Sequence, residues 1–303
     1  MHIGIISNSD ECILLAYTLA NHGFQVCVFF SPPPDNYIHQ KVTTLLHSIN
    51  IPCTIEQDQK TDVYNWLEQK GLAVVFVLGY RYLLDVKIFG KLNISAFNIH
   101  YGPLPSFRGP VPVFWQLKQG ESSLEISIHR LSSKFDDGEV VWKKETSNLP
   151  HYNYSYVHQL FSRLCIEGVE FILSVIKSQF PLPDLRAKSK ISAYYKRPQL
   201  TDVMINWDTM KGEEICDLVR ACNPWNKGAQ TLFYQQEAKL MDAQLMNDSS
   251  TERAGTILDN NECILIACAD TKIIKVGMLY VSDYFIPAYQ AEVWGFVKGK
   301  VFG

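Results

Sequence analysis

From Ile3 to Phe30 the chain reads IGIISNSDECILLAYTLANHGFQVCVFF, and this stretch decides the fold. Ile3 to Ser7 is a short β-rich run. Glu11 to Asn21 places apolar residues at helical spacing, Gly23 offers a left-handed stop, and Gln25 to Phe30 is a second run of nearly unbroken apolar character. A strand, a helix-length segment and a strand buried on both faces make the unit from which parallel sheets are built by crossover. Outward from it, Ser31-Pro32-Pro33-Pro34 must be loop, and the alternation then repeats. A helix is expected around Tyr37 to Ile49, a strand near Pro52 to Ile55, a helix over Asp62 to Lys70 and a strand over Leu72 to Leu78. The first strand-to-helix turn is Ser7-Asn8-Ser9-Asp10-Glu11 and lacks the G-x-G-x-x-G that lets a dinucleotide pyrophosphate approach the backbone, which disfavours a nicotinamide dehydrogenase. Ligands of open α/β sheets lie beyond the carboxyl ends of the strands, so the loops after strands ending near Leu78 and Asn98 are where chemistry is expected.

The whole chain has 303 residues, 47% hydrophobic and 19% charged, enough for two packed cores and too apolar for a disordered chain. Its 28 basic and 31 acidic residues leave a formal charge of -3, so there is no global positive field to hold a polyanion. Met1 to Asp10 lacks a basic start followed by a long apolar stretch, and no apolar run approaches the roughly 18 to 20 residues that span a bilayer. A cytoplasmic protein with no membrane partner is expected. The eight cysteines sit mostly among apolar neighbours without C-x-x-C spacing, and are read as reduced core thiols rather than metal ligands.

Farther along, Val157, Leu160, Leu164, Val169, Ile172 and Val175 place a long helix over Tyr154 to Ile176. Pro181, Pro183 and Pro198 then punctuate a stretch read as a linker over 181–200. Beyond it, Ile215, Leu218, Val219 and Cys222 share one helix face that stops before Asn223-Pro224. Short β-type runs follow at Gln230–Tyr234, Ala238–Leu245, Thr256–Leu258, Ile264–Cys268, Ile273–Leu279 and Trp294–Phe302, the pattern of a small antiparallel barrel.

The segment densest in chemistry is Phe97-Asn98-Ile99-His100-Tyr101-Gly102-Pro103-Leu104-Pro105-Ser106-Phe107-Arg108-Gly109-Pro110. Asn98 and His100 are two apart in an extended run and project to one side, so an amide donor and an imidazole converge on one small group, a pair suited to a developing oxyanion. Downstream, Ile126 to Leu131 alternates as a strand, Ser132-Ser133-Lys134-Phe135-Asp136-Asp137-Gly138 reads as a turn, and Glu139 to Lys143 as the next strand. A carboxylate on that turn could reach His100. Taken singly, each residue is also what an ordinary turn or strand end would contain; the ordered combination is harder to explain that way.

These residues resemble the formyltransferase family that uses 10-formyltetrahydrofolate, whose members act on glycinamide ribonucleotide, methionyl-tRNA and sugar-nucleotide amines. Asn98-Ile99-His100 through Leu104-Pro105-Ser106-Phe107-Arg108-Gly109 is similar to its strand-and-loop signature, and Ile128-His129 through Phe135-Asp136-Asp137-Gly138 to its second signature. Ile205-Asn206-Trp207, Leu218 to Trp225 and Gly299 resemble the carboxyl-terminal barrel of the methionyl-tRNA members. The resemblance implies a Rossmann-like, mainly parallel α/β catalytic domain over residues 1–180 and an OB-like barrel over 201–303. It also implies a catalytic trio of Asn98, His100 and Asp136, and no metal. The pterin of the formyl donor is expected between the loop holding Tyr80, Tyr82 and Leu84 and the turn holding Ser133 and Phe135. Tyr101, Gly102, Pro103 and Arg108 are expected on the acceptor side, Arg108 positioning the loop or an acceptor phosphate. Two positions depart from the family: Gly102-Pro103 replaces the common Ser-Leu, and Glu125 stands where a glycine is common.

The amine acceptor has to be weighed on charge. Binding tRNA relies on several Lys or Arg contacts to phosphate, yet no Lys or Arg precedes Lys41, and residues 188–303 hold 13 basic against 14 acidic residues, 13 - 14 = -1. The cluster Lys188, Lys190, Lys196 and Arg197 fits a solvated linker. A small-molecule amine, an aminosugar nucleotide ahead of an amino acid or peptide precursor, is therefore preferred over methionyl-tRNA. A formyltetrahydrofolate hydrolase and a noncatalytic folate binder stay open. Tyr194, Tyr195, Trp207 and Trp225 could stack on a base, with packing expected for the tryptophans.

Overall fold

The computed structural model describes residues 1–33, 36–58, 60–186 and 191–303. Pro34 of the proline loop and Lys188 and Lys190 of the basic cluster lie outside the described residues. The first half is built on the alternation of apolar runs. Strands β1 (His2–Ser7), β2 (Gln25–Phe30), β3 (Cys53–Ile55), β4 (Val74–Leu78) and β5 (Ser95–His100) alternate with helices α1 (Cys12–Asn21), α2 (Asn36–Ser48), α3 (Asp62–Lys70) and α4 (Val86–Lys91). Helix α5 (Pro112–Lys118), strands β6 (Ser123–Arg130) and β7 (Val140–Ser147) and helix α6 (Tyr154–Lys177) follow. Gly23 and Gly71, with φ of 81° and 58°, end the first and third helices in the left-handed conformation.

The seven strands form one sheet in the order β3-β2-β1-β4-β5-β6-β7. Pairing is parallel from β3 through β5 and antiparallel between β5 and β6. The chain moves outward from β1 to β3 and then resumes at β4 on the other side of β1, which is the reversal where α/β sheets open a crevice. Strands β2 and β4 are buried on both faces, as their apolar runs require. The edge strand β7 instead alternates, with Lys143 and Lys144 among its later residues. Phe76 and Phe97, opposite one another across β4 and β5, stack at 5.7 Å and anchor the strand that carries Asn98.

Helix α4 and helix α5 were not expected from the sequence; both are too short to show a periodic face. The strand expected to end near Asn98 continues to His100.

By internal contacts the chain divides into two compact units that do not follow chain order. The first comprises Met1–Pro112, Glu125–Thr146 and Gln159–Tyr195, and the second Val113–Leu124, Ser147–His158 and Lys196–Gly303. The stretch read as a linker is therefore only partly free chain: Ala193 and Tyr195 hydrogen-bond to Pro105 and Arg108 of the first unit.

In the second unit, helices α7 (Leu200–Val203) and α8 (Gly212–Cys222) precede eight short strands. Strands β8 (Ala229–Phe233), β9 (Gln236–Leu240), β14 (Met278–Val281) and β15 (Tyr284–Pro287) make one antiparallel sheet. Strands β10 (Gln244–Ser249), β11 (Ile257–Asp259), β12 (Ile264–Ala267) and β13 (Lys272–Val276) make another. Two runs expected as single strands, Ala238–Leu245 and Ile273–Leu279, each break and change sheets. The cause is local: the Asp242 carboxylate accepts from the backbone N–H groups of Gly277 and Met278, both at 2.8 Å. A Cβ at Gly277 would lie 2.7 Å from that carboxylate. The strand expected over Trp294–Phe302 is corrected as well. A 3-10 helix over Ala288–Trp294 stops at Gly295, and only Val301 bridges to Thr256, while Phe296 and Phe302 pack on Phe233 at 4.2 Å and 5.2 Å. Trp207 is buried, donates to Thr231 at 2.8 Å and stacks on Phe302, so packing is its role. No helix among the described residues is long and apolar enough to cross a membrane.

Burial pushes the thiols of Cys12 and Cys222 up to about 12 and those of Cys27 and Cys53 to about 11, as expected of core cysteines. The Phe76 ring is wholly buried, and Phe76→Ala is expected to cost about 3 to 5 kcal/mol of unfolding free energy, read from the urea midpoint at unchanged slope.

Candidate active site

The site is assembled at the carboxyl end of β5. Alternation along Phe97-Asn98-Ile99-His100 sends Phe97 and Ile99 into the core and Asn98 and His100 to the opposite face. The turn between β6 and β7 brings Asp136 to them. Its Oδ1 lies 3.4 Å from Asn98 Nδ2 and 3.5 Å from His100 Nδ1, so a carboxylate distant in the chain meets two neighbouring strand residues through one oxygen. The other ring nitrogen of His100, Nε2, is 2.7 Å from the Phe107 carbonyl, an acceptor only, and must carry a proton there.

Asp136 adopts φ of 51°, a left-handed conformation uncommon for a non-glycine residue, and the neighbouring loop holds it there. The Gly109 N–H donates to Asp136 Oδ2 at 2.9 Å. The Arg108 guanidinium donates to the Phe135 carbonyl from Nε at 3.1 Å and Nη2 at 2.6 Å, and its Nη1 pairs with Asp137 at 3.2 Å. Arg108 thus turns its planar fork toward the turn that carries Asp136.

The loop in turn leans on residues 193–195. The Arg108 N–H donates to the Ala193 carbonyl at 3.0 Å, the Tyr195 N–H donates to the Arg108 carbonyl at 2.8 Å, and the rings of Phe107 and Tyr195 stack at 5.3 Å. Gly109 is obligatory there: a Cβ would lie 2.0 Å from the Tyr195 carbonyl oxygen, and φ is 118°. Tyr194, half exposed, is free of this stack.

The remaining expected residues divide. Gly102 belongs to the site by proximity, since a Cβ on it would sit 3.1 Å from His100 Nε2 and 2.7 Å from Pro112. Tyr101 and Pro103 are buried; the Tyr101 ring packs edge-on against Phe161 at 5.5 Å, and burial, then the Glu11 carboxylate, raises its hydroxyl well above the usual range. Tyr80 and Leu84 are buried with Val77 and Phe89, and Tyr80 donates to Glu56 at 2.6 Å; burial and that carboxylate raise the Tyr80 hydroxyl. Tyr82 is more accessible, edge-on to Tyr80 and under the Lys60 ammonium. Ser133 is exposed, and so is the Phe135 side chain at 42%. Arg81 of the same loop donates to the Pro32 carbonyl at 3.1 Å. The sequence reading missed Glu56 as the partner of Tyr80 and missed His129, whose Nε2 is 3.1 Å from Asn98 Nδ2. The period-two alternation around Ile128-His129 was the available signal for the second.

Electrostatics make the trio unequal. Burial penalises the charged Asp136, but His100, which carries positive charge once protonated in acid, and the Gly109 N–H act against it, and the carboxyl is held well below its ordinary range. Burial is also the foremost influence on His100; it exceeds the attraction of Asp136 and lowers the imidazole below its ordinary value. At neutral pH the pair is an ionised carboxylate beside a neutral ring whose two nitrogens both face acceptors. Such an arrangement can take up a proton from a nearby nitrogen and stabilise the cation that results.

Two family models match the chain, one described as formyl transferase over residues 3–171 and one described as formyl transferase, C-terminal domain, over residues 199–280. The methionyl-tRNA formyltransferase of Lactobacillus acidophilus is 26% identical over 213 residues, 70% of this chain and 67% of that protein. Among solved structures, WlaRD, a sugar 3N-formyl transferase determined in the presence of dTDP and 5-N-formyl-THF, matches with a TM-score of 0.72 at 15% identity, over 91% of this chain and 97% of its own. The N-formyltransferase from Helicobacter canadensis, in complex with folinic acid and dTDP-3-aminofucose, matches with a TM-score of 0.67 at 16% identity, over 90% and 98%. HypX from Aquifex aeolicus, in complex with tetrahydrofolic acid, matches with a TM-score of 0.67 at 14% identity over 97% of this chain; this chain spans 46% of that one. At such identities the structural matches establish the fold.

Both shifts act in the same direction on stability. A histidine and a carboxylate whose folded values lie below their unfolded ones contribute stability at higher pH and lose it on acidification. Unfolding free energy is expected to fall as pH drops below about 6.5 through His100 and further below about 4 through Asp136. Denaturant titrations of His100→Asn and Asp136→Asn across that range should each flatten the corresponding segment; parallel curves for all three proteins would refute the assignment.

Proposed function

The chain belongs to the formyl transferase family, and on that premise we propose that it transfers a formyl group from 10-formyltetrahydrofolate to the primary amine of a small-molecule acceptor. The observation that carries this reading is the convergence of Asn98 and His100 on Asp136 Oδ1, at 3.4 Å and 3.5 Å, inside the region matched by the family model. A neutral amine attacks the formyl carbon; its nitrogen–carbon bond forms, negative charge gathers on the formyl oxygen, and the bond from that carbon to the folate nitrogen then breaks.

Asn98 supplies the donor for the oxygen. Its amide nitrogen faces His129 at 3.1 Å and Asp136 at 3.4 Å, and the longer contact is the one a developing oxyanion replaces. His100 enters the reaction as a neutral ring: with Nε2–H held by the Phe107 carbonyl, its Nδ1 lone pair and the Asp136 carboxylate together receive the amine proton. The imidazolium so formed has an acceptor at each nitrogen. The proton returns to the folate nitrogen as tetrahydrofolate leaves.

The donor is placed between the backbone after β4 and the exposed turn bearing Ser133 and Phe135. Tyr80 and Leu84 shape that loop from within, and Tyr82 stands nearer its surface. Gly102 and Pro103 hold the acceptor side of the loop against His100. Residues 1–180 are the catalytic part on this reading, and the barrel over 201–303 is accessory.

An aminosugar nucleotide is the preferred acceptor. The near-full coverage of two sugar N-formyltransferase structures supports it, as does the absence of Lys and Arg before Lys41. The specific observation favouring methionyl-tRNA is the 26% identity to a formyltransferase of that substrate. Following tetrahydrofolate release with aminosugar nucleotides, amine-bearing amino acids and charged methionyl-tRNA separates the two. Turnover confined to tRNA and steeply weakened by salt would reverse the preference. Asn98→Ala is expected to lower kcat about 10²- to 10³-fold, and wild-type rates in Asn98→Ala, His100→Ala and Asp136→Ala together would overturn the mechanism.

A further inference from the structure

A second histidine stands behind the trio. His129 lies on β6 directly opposite Asn98 in the antiparallel register, and its side chain is 2% exposed. Its Nδ1 is 2.8 Å from the carbonyl oxygen of Arg130. A carbonyl only accepts, so Nδ1 carries the hydrogen there and Nε2 of the neutral ring is left with its lone pair. That lone pair faces Asn98 Nδ2 at 3.1 Å, with Asp136 Oδ1 at 3.6 Å from the same ring nitrogen.

The ring reaches the Arg130 carbonyl only because residue 138 has no side chain. A Cβ at Gly138 would lie 1.8 Å from that carbonyl oxygen and 3.0 Å from His129 Nδ1. The glycine two residues after Asp136 thus has a definite physical task, which is to leave room for the bond that sets the tautomer of His129. Asn98 could otherwise turn its amide by half a rotation and offer Oδ1 where Nδ2 now stands. With an acceptor nitrogen on one side and a carboxylate oxygen on the other, only the donor end fits.

We propose that His129 is a positioning residue, held as its Nδ1–H tautomer by the Arg130 carbonyl in the space left by Gly138, and that its Nε2 lone pair fixes the Asn98 amide with the donor end toward the reacting group. The kinetic part of this rests on formyl transfer as proposed above; the tautomer does not. His129→Phe keeps the ring and removes the acceptor, whereas His129→Gln returns an oxygen acceptor close to the place of Nε2. His129→Phe is expected to lower kcat by roughly a hundredfold, the scale of a small misplacement of a reacting group, with KM for donor and acceptor little changed, and His129→Gln to recover most of the loss.

Nitrogen-15 NMR of histidine-labelled wild-type protein supplies the second measurement, which needs no turnover and stands even if the variants fail to fold. It should show His129 protonated on Nδ1 and bare on Nε2. An Nε2–H tautomer overturns the proposal, as does a wild-type kcat in folded His129→Phe or a folded His129→Gln that is no better than His129→Phe. If wild-type protein transfers formyl to no acceptor, the functional reading fails while the NMR result still decides the tautomer.

Discussion

A carboxylate withdrawn from water is tolerated only if donors surround it, because removing an unpaired ion from solvent costs several kcal/mol. Asp136 is such a group, and much of the local architecture serves it. The Gly109 N–H donates to one oxygen and the Asn98 amide to the other, with the two histidine rings beside that second oxygen, while Arg108 grips the Phe135 carbonyl on one side and the Asp137 carboxylate on the other. These contacts also fix the residue in a left-handed conformation it would not hold alone. The proline- and glycine-rich loop after β5 and the turn after β6 are therefore one object, joined through Arg108 and Gly109.

That view explains which parts of the site were legible in the sequence. Asn98 and His100 could be paired because a strand's period of two is a local property, and the fold beneath them followed from apolar runs such as Gln25–Phe30 and Leu72–Leu78. The meeting with Asp136 was reachable only through the ordered motif, since nothing local brings residue 136 to residue 98. For Arg108 the sequence left open whether it positions the loop or an acceptor phosphate, because its partners are a backbone carbonyl and a turn carboxylate, groups that composition does not advertise. Tyr80 and Leu84 looked like a binding loop, yet their side chains point into the core. A loop's sequence position says where its backbone runs and little about which way its side chains turn.

The barrel shows the complementary limit. Runs such as Ile273–Leu279 have uniform β character, so nothing in their hydropathy marks Gly277 as a corner. The break arises from Asp242, thirty-five residues earlier, capturing two backbone donors. Similarly, Trp294–Phe302 has the residues of a strand but not the pairing partner, and its aromatic rings were used to close the core instead.

The backbone bonds that tie Ala193 and Tyr195 to Pro105 and Arg108 also bear on how such chains can be recombined. The chain that carries the signature loop includes a short return segment lying well downstream of the long helix α6. A chimera that exchanged the barrel at the end of that helix would strip the loop of one wall, whereas a junction just past Tyr195 would carry it intact. For the loop, the supporting chain ends at that aromatic residue, later than the prolines suggest.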